Sequence, residues 1–350
     1  MSCFVPLRQA FAAGPPCRDV PTYVLHDLGA PAGYTDSGGT AVNAWGQVAA
    51  TASVADAETT LTDAFLAQIG RLTDVGVLVD PGDPWRSSAS AINAAGQLAG
   101  TFTPGDRSST QGFVYARGEV EIFLVPGSSD TEADGINVLG QVAGSFTIAN
   151  FPYATHAFVR QPDGTLVDLG TFGGENAGAS AINSLGEVAG EVDDAHGDYH
   201  AFVTQGAKKV PLVLKGLGTD SDATALNDVG EVVGGVLLDP DNLTYHAFLY
   251  TRGKMLDLGT LPGTDSSYAY GINASGQVVG TSYRGGLFQS GRGWVYLHGR
   301  MRDLNGLLEP GVAKRWTVTD ANGINDLGQI VGSAQNATGH SRAVLLTPRR

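Results

Sequence analysis

The body of this 350-residue chain lacks cysteine, since Cys3 and Cys17 both precede residue 21. Disulfide bonds therefore cannot stabilise residues 21–350. Charged residues are scarce, at 16%, and the chain contains no apolar run of the ~18 residues that a membrane-spanning helix needs, so no such span is predicted. Glycine is abundant, with 49 residues. Few charges and many glycines are typical of short strands joined by tight turns.

Acidic residues outnumber basic ones, 35 to 21, which gives a formal net charge of −14. Nucleic acid is therefore not expected as a partner, because a polyanion would be repelled. The chain begins MSCFVPLRQAFAAGPPCRDV, in which Pro6 and Gln9 interrupt the apolar stretch that a signal peptide needs. We interpret residues 1–20 as a tail with a poor export signal, which leaves a cytoplasmic location open, and residues 21–350 as one domain.

One phrase occurs seven times: an apolar residue, Asn, two further residues, Gly, and then Gln or Glu. The copies lie 44 to 52 residues apart, which is the length of a four-stranded propeller blade. The asparagines are Asn43, Asn93, Asn137, Asn183, Asn227, Asn273 and Asn325.

A second phrase lies between the copies, as in HAFVRQPDGTLVDLG from His156 and HAFLYTRGKMLDLG from His246. Its two apolar runs flank a Gly-containing turn, so one period holds four short strands. YVLHDLG, residues 23–29, is a DLG strand without a partner, and RAVLLT, residues 342–347, is an HAF strand without one. We therefore predict an all-β, seven-bladed β-propeller with four-stranded blades, closed by pairing of the N-terminal strand with the last blade.

The joint recurrence of HAF, DLGT and INxxGQVVG resembles the HAF repeat family, a group of bacterial repeat proteins named for that tripeptide. The resemblance covers residues 23–347, nearly the whole chain. It implies a propeller-like repeat and an extracellular or periplasmic location. It implies no established general activity.

The repeated residues have an architectural interpretation. The positions two and four before each Asn are Gly or Ala in all seven copies, as expected for the strand nearest the axis, and period-two spacing places both on one face. Each Asn is predicted to accept a backbone hydrogen bond two residues on, while the Gly adopts positive φ. A structural role is likewise favoured over a catalytic or ligand role for His156, His200 and His246.

The copies diverge five residues before each Asn, towards one end of this inner strand. The residues there are Gly38, Ser88, Glu132, Gly178, Asp222, Tyr268 and Asp320. Asp134, Tyr270 and Asn322 stand two residues further along their strands. If the ring closes, the three carboxylates face one entrance and predict a central acidic pocket for a cation, an amine or a sugar. Solvated polarity at a wet channel mouth is the alternative.

The short turns of each blade are expected on one face, the bottom, and the long variable connections on the other, the top. Trp85 with Arg86, and Arg315 with Trp316, are predicted on the top face. A Trp beside a charged residue suits a carbohydrate or another flat ligand. Packing of each Trp over its own loop is the alternative.

One segment, VDDAHGDYH, offers Asp194, His196 and Asp198 as candidate ligands of a divalent cation, the only cofactor that the sequence suggests. It has neither the alternating acids of a calcium loop nor a zinc-type His and Cys spacing. The sequence contains no G-x-S-x-G elbow, Walker loop, H-E-x-x-H or dinucleotide fingerprint.

These features favour a noncatalytic binding propeller that presents variable top-face loops to a small molecule, glycan, peptide or surface protein. A monomer is expected. The alternative is an enzyme of the hydrolase, lyase or cyclase type, with an acidic site at the central top entrance. Two carboxylates that converge in one pocket and have shifted pKa values would favour the enzyme.

Overall fold

The computed structural model describes residues 20–55, 60–76, 86–105, 108–149, 153–205, 208–211, 218–285 and 291–349. Cys3, Cys17 and Trp85 lie outside these residues. Within them, 28 strands form seven four-stranded antiparallel sheets. The first strands of consecutive blades contact one another around the whole ring, the seventh blade against the first. The predicted seven-bladed β-propeller is confirmed.

Strand β1 (Thr22–Gly29) opens the described chain, and six blades of four consecutive strands follow it. In chain order these blades are β2–β5 (Asp36–Val42, Val48–Ala55, Thr60–Gln68, Arg71–Asp74), β6–β9 (Arg86–Ile92, Leu98–Thr103, Gln111–Ala116, Glu119–Phe123), β10–β13 (Ser128–Ile136, Val142–Ile148, Thr155–Arg160, Leu166–Gly170), β14–β17 (Ala177–Ile182, Val188–Asp193, Tyr199–Gln205, Lys208–Pro211), β18–β21 (Ser221–Leu226, Val232–Asp239, Thr244–Thr251, Lys254–Asp257) and β22–β25 (Ser266–Ile272, Val278–Tyr283, Gly291–Leu297, Arg300–Asp303).

The seventh blade joins the two ends of the described chain. Its first three strands are β26 (Trp316–Ile324), β27 (Ile330–Asn336) and β28 (Ser341–Arg349). The fourth is β1, which pairs antiparallel with β28 and places Leu25 opposite Leu346. The N-terminal strand therefore closes the ring, as predicted, and no blade lacks a neighbour.

A short 3-10 turn (Leu304–Leu307) and a one-turn helix α1 (Pro310–Ala313) connect the sixth blade to the seventh. The Asp303 carboxylate caps the turn by accepting the backbone N–H of Asn305 at 2.9 Å. Leu304 is fully buried in the seventh-blade core, which anchors this connection. In the part of the chain that the structure describes, no helix is long and apolar enough to cross a membrane.

A large aromatic side chain fills the core of each of the first six blades from its third strand. These residues are Phe65, Phe113, Phe158, Phe202, Phe248 and Trp294. The second strand places Gly or Ala opposite each of them; Gly100, for example, faces Phe113. A Cβ on Gly100 would approach the Phe113 ring to 2.7 Å, closer than atoms can pack. The glycine that ends the phrase GQLAG thus makes room for the aromatic core.

The seven repeated asparagines form a closed ring of hydrogen bonds on the bottom face. Asn43 Oδ1 accepts the backbone N–H groups of Trp45 and Gln47, while its Nδ2 donates to Gln47 Oε1 and to the Asn93 carbonyl of the next blade. Every hydrogen-bonding position of this buried amide is thereby satisfied. The link from Nδ2 to the next Asn carbonyl recurs in every blade at 2.9–3.2 Å, and Asn325 returns to Asn43. The predicted structural role of these asparagines agrees with this geometry.

The histidines of the HAF strands pair with the aspartates of the DLG strands. His156 Nδ1 lies 3.0 Å from Asp168, and His246 Nδ1 lies 3.0 Å from Asp257. The same aspartates accept the backbone N–H two residues on, which shapes the start of the next connection. These two histidines therefore contribute to strand pairing, as the structural interpretation predicts.

Each inner strand contains a one-residue bulge three residues before its Asn, which the sequence pattern did not predict. In the first blade, Gly39 pairs with Ala50, whereas Ala41 pairs with the adjacent Ala49. The prediction that the two small positions share one face is therefore wrong, because the bulge shifts the register between them.

Both small positions nevertheless lie at contacts between blades. A Cβ on Gly39, four residues before its Asn, would overlap Val331 of the preceding blade. A Cβ on Gly271, two residues before its Asn, would lie 3.1 Å from the Gly323 Cα of the following blade. Each position needs a small residue because a different neighbour packs against it.

Candidate functional site

The bulged residue of every inner strand is polar. These residues are Thr40, Ser90, Asp134, Ser180, Thr224, Tyr270 and Asn322. Thr40, Thr224 and Asn322 donate to a backbone carbonyl of the next inner strand at 2.8–2.9 Å. The bulge thus directs a hydrogen-bond donor from one blade to the next. Asp134 and Tyr270 depart from this pattern in charge and in size.

Blades four to seven bring carboxyl groups and tyrosines together near the axis. This axial cluster consists of Glu191, Asp222, Tyr268, Tyr270, Tyr283 and Asp320. The Tyr268 hydroxyl of β22 donates to the Asp222 carboxylate of β18, across the contact between the fifth and sixth blades. The Tyr270 and Tyr283 hydroxyl oxygens lie 2.9 Å apart within the sixth blade. Asp320 of β26 accepts from Thr281 Oγ1 at 3.4 Å.

The aromatic rings of the cluster are stacked. The ring centroids of Tyr268 and Tyr270 lie 5.4 Å apart with an interplanar angle of 26°. Tyr245 of β20 packs against Tyr268 at 5.9 Å and 45°. Gly235 of β19 makes room for Tyr268, because a Cβ there would overlap the ring. The cluster therefore presents aromatic surface next to its carboxyl groups.

Burial disfavours the charged forms of these groups. Burial, together with the smaller effect of the Glu191 charge, raises the pKa of Asp222 to about 8. Burial also raises the pKa values of Glu191 and Asp320. The pKa of Tyr270 is raised by burial, by Tyr283 and by the charges of Asp320 and Asp222. Among the described residues, no basic side chain contributes to these shifts, so nothing compensates the negative charge that the cluster would carry when ionised.

Glu132 and Asp134 of the third blade lie outside the cluster. Glu132 is exposed to solvent. Burial and, to a smaller extent, the charge of Glu132 together raise the pKa of Asp134 to about 7. Of the three carboxylates predicted at one entrance, Asp222 and Asp320 both raise the pKa of Tyr270. Glu132 does not contribute to that shift.

Of the two tryptophans predicted to form ligand platforms, the structure describes only Trp316. Trp85 lies outside the described residues, and its neighbour Arg86 begins β6 with a partly exposed side chain. Trp316 is partly buried against the seventh-blade core. Arg315 beside it is exposed, and its Nε donates to the Gly311 carbonyl at 3.4 Å. Trp316 therefore packs against the core of its blade, and its role in ligand binding stays a prediction.

The segment predicted to bind a metal forms the hairpin turn between β15 and β16. Asp194 Oδ1 accepts the backbone N–H groups of His196 and Asp198 at 2.7 and 3.2 Å. These bonds, with contacts to His196 and His200, lower the pKa of Asp194 to about 2. Across the described ranges, no three His, Cys, Asp or Glu side chains are grouped to hold a metal, the predicted trio included. The turn accounts for the position of Asp194.

Glu191 and Tyr283 were not predicted as members of the axial cluster. Both lie on the second strand of a blade, whereas the predicted residues lie on inner strands. Glu191 occupies a position that is small in every other blade. Its equivalents are Thr51, Thr101, Ser145, Gly235, Thr281 and Ser333. A glutamate among six small residues, opposite Gly178 in the sheet, is the signal that could have found it. Tyr283 ends the second strand of the sixth blade and carries no comparable signal.

No protein-family model and no curated protein matches the chain. Several solved structures match the chain. The β-propeller domain of the trilobed protease from Pyrococcus furiosus matches with a TM-score of 0.54 and 10% identity, over 93% of this chain and 97% of that one. A puromycin-hydrolysing peptidase from Mycobacterium tuberculosis matches with a TM-score of 0.54 and 12% identity, over 93% of this chain but 56% of its own length. At such identities the similarity establishes the fold alone: the chain is a β-propeller, similar to those found in these proteins.

Proposed function

We propose that this protein is a noncatalytic binding propeller whose axial cluster holds a small ligand with a positively charged group. Asp222 carries the proposal. It is a half-buried carboxyl with no basic partner among the described residues, and Tyr268 is its hydrogen-bond donor. A buried carboxylate is unfavourable unless an opposite charge accompanies it. A cationic ligand would supply that charge.

The stacked tyrosines support the same ligand class. Tyr268 and Tyr270 place aromatic surface beside Asp222 and Asp320. An ammonium group is attracted both to a carboxylate and to the face of an aromatic ring. A neutral sugar could stack on the rings but would leave the carboxylates uncompensated, so we favour an organic amine. The variable top-face loops would govern which amine, glycan or peptide reaches the entrance. The HAF-type relationship and an extracellular or periplasmic location are retained as parts of this proposal.

The enzyme alternative has one observation in its favour. With a pKa of about 8, Asp222 holds a proton at neutral pH, as a general acid must. However, the Tyr268 hydroxyl already occupies the Asp222 carboxyl, and its stacked ring lies against Tyr270. The Asp222 carboxyl accepts this bond rather than donating one, which suits a carboxylate that binds a cation better than an acid that gives up its proton, and we therefore favour binding.

Isothermal titration calorimetry with amines and matched uncharged molecules tests the proposal. Suitable pairs are benzylamine with benzyl alcohol, and choline with its uncharged carbon isostere. We expect each amine to bind at least about tenfold more tightly than its partner, because only the amine compensates the carboxylates. Affinity should rise with pH through about 8, since the amine binds the ionised form of Asp222.

Two variants provide the comparison. Asp222→Asn should weaken amine binding by about tenfold and remove its pH dependence. Glu132→Gln removes an exposed carboxylate at the same repeat position in the third blade and should leave binding unchanged. Equal affinities within each pair, or no effect of Asp222→Asn, would refute the charged-ligand proposal. Conversion of a bound amine, seen by NMR and lost in Asp222→Asn, would establish the enzyme instead.

A further inference from the structure

The Asn-x-x-Gly turns expose apolar side chains on the bottom face, opposite the entrance to the axial cluster. The two variable positions of the turns supply Trp45, Val138, Leu139, Leu185, Val229 and Leu327, which are between 53% and 72% exposed. These side chains contribute nothing to the asparagine ring, whose bonds use only the Asn side chains, the turn backbone and the following Gln or Glu. The second and sixth turns carry Ala and Ser at the same positions. Apart from Trp45, whose ring nitrogen bonds the next turn, the apolar side chains therefore need another explanation.

The turns hold these side chains on a rigid frame. Asn-to-Asn bonds fix each turn against the next. Further bonds act between the variable positions: Trp45 Nε1 donates to the Ala94 carbonyl at 3.0 Å, and the Asp228 carboxylate accepts the Ser184 backbone N–H at 2.9 Å. A preorganised surface loses little conformational entropy when a partner binds.

The apolar residues form two arcs, each of which includes one carboxylate. Val138, Leu139, Leu185 and Val229 belong to the consecutive third, fourth and fifth blades, where Asp228 also lies. Leu327 and Trp45 belong to the seventh and first blades, where Asp326 lies. The variable positions of the seven turns contain these two acids and no Lys or Arg. The inner turns of the bottom face are thus apolar and acidic, whereas its outer turns carry exposed basic residues such as Arg117 and Arg252.

We propose that this bottom face is a docking surface for a polypeptide segment that carries both apolar and basic side chains. Exposed apolar patches of this kind mark interaction sites on soluble proteins. Basic residues of the partner would pair with Asp228 and Asp326, while its apolar residues cover the two arcs. An anionic membrane would be repelled by these acids and by the net charge of −14. A second copy of the chain would bring the same acids face to face.

Fluorescence anisotropy with a labelled amphipathic Leu–Lys peptide tests this proposal, with the matching Leu–Glu peptide as its counterpart. We expect saturable binding of the Leu–Lys peptide, at least about tenfold tighter than that of the Leu–Glu peptide. The double variant Leu185→Ser and Val229→Ser should weaken binding by about tenfold, because it removes apolar contact without changing any charge. Asp228→Asn with Asp326→Asn should reduce the preference for the basic peptide, while the Asn oxygens still accept the turn N–H groups.

Leu243→Ser is the matched control, since Leu243 is 58% exposed in the connection between β19 and β20 on the top face. It should bind the Leu–Lys peptide as the unaltered protein does. The proposal is overturned if the Leu185 and Val229 variant binds normally, or if Leu243→Ser loses as much affinity. It is also overturned if these bottom-face variants abolish self-association in sedimentation velocity, or binding to vesicles containing anionic lipid, because a second copy or a membrane would then be the occupant.

Discussion

At the scale of single residues, Asp134 shows how one substitution in a repeat changes its chemistry. The equivalent bulge residues Thr40, Thr224 and Asn322 donate hydrogen bonds to the next inner strand. An aspartate can donate there only when it is protonated. Burial and the charge of Glu132 raise the pKa of Asp134 to about 7, so it holds its proton in weakly acidic solution and loses it in alkaline solution.

Few titratable groups surround Asp134, so its titration can be distinguished from theirs. Its own strand, β10, carries Asp130 and Glu132. Of the strands packed against it, β6 carries Arg86 and β8 carries Tyr115, whereas β7, β11 and β14 carry no titratable residue. Among these groups, only Glu132 adds to the rise in pKa that burial causes.

We predict that Asp134→Asn becomes more stable relative to the unaltered protein as the pH rises. The pKa of Asp134 is about 7 in the folded protein and about 4 in the unfolded chain. The folded state therefore binds the proton more tightly, and this stabilisation is fully present below about pH 4 and lost as the pH rises through 7. Urea unfolding between these pH values measures the difference. Parallel curves for the two proteins would contradict the prediction, and Glu132→Gln controls for the loss of a nearby charge.

Residues of the axial cluster were predictable where they depart from the repeat on the inner strand. Asp222, Tyr268, Tyr270 and Asp320 were found in this way. Glu191 was missed because its electrostatic effect on Asp222 acts between a second strand of one blade and an inner strand of the next. The number of residues between Glu191 and Asp222 in the sequence does not show that the two side chains lie near each other. The sequence also did not predict that Asp134 is less exposed than Glu132, because Asp134 is the bulged residue of its strand.

At the scale of secondary-structure elements, the asparagine turn is the strongest constraint on each blade. The Asn137 side chain makes four hydrogen bonds, two with backbone N–H groups of its turn, one with the Gln141 side chain and one with the carbonyl of Asn183 in the next blade. The repeat period predicted the strands and these turns correctly, because spacing and turn residues are local properties. The inner-strand bulge escaped prediction, since regular period-two pairing was assumed.

Replacement of Asn137 by Ala should lower the free energy of unfolding by about 3 kcal/mol, because it leaves several buried donors and acceptors without partners. Asn242→Ala is the control: Asn242 is exposed, and its side chain donates to Asp239. The control should change stability by less than about 1 kcal/mol. Equal losses for both variants, measured by urea unfolding, would show that the turn bonds contribute little.

At the scale of the whole molecule, we expect stability to depend on the pairing of β1 with β28. Tyr23 of β1 is 1% exposed and packs in the seventh-blade core, so this strand adds core as well as backbone hydrogen bonds. The closure was predictable because the repeat begins one strand early and ends one strand short. The proposed docking surface on the bottom face was not predictable, and the sequence left the ligand class open, since both depend on side chains from several blades.

Deletion of residues 1–29 should lower the melting temperature by an amount on the order of 10 °C or prevent folding, whereas deletion of residues 1–19 leaves β1 in place and should change it little. Tyr23→Ala offers a milder test, with an expected loss of about 3 kcal/mol from the emptied core position. Differential scanning calorimetry measures the deletions and urea unfolding the substitution. Unchanged stability in both the longer deletion and Tyr23→Ala would refute closure by β1.

The ring of asparagine amides also bears on how the molecule unfolds. In an open array of repeats the terminal unit has one neighbour and frays first. Here Asn325 donates to Asn43 just as each earlier asparagine donates to the next, so the circuit has no terminal bond. Removal of any blade breaks two such links and exposes two flanking cores. We therefore expect the seven repeats to unfold as a single cooperative unit.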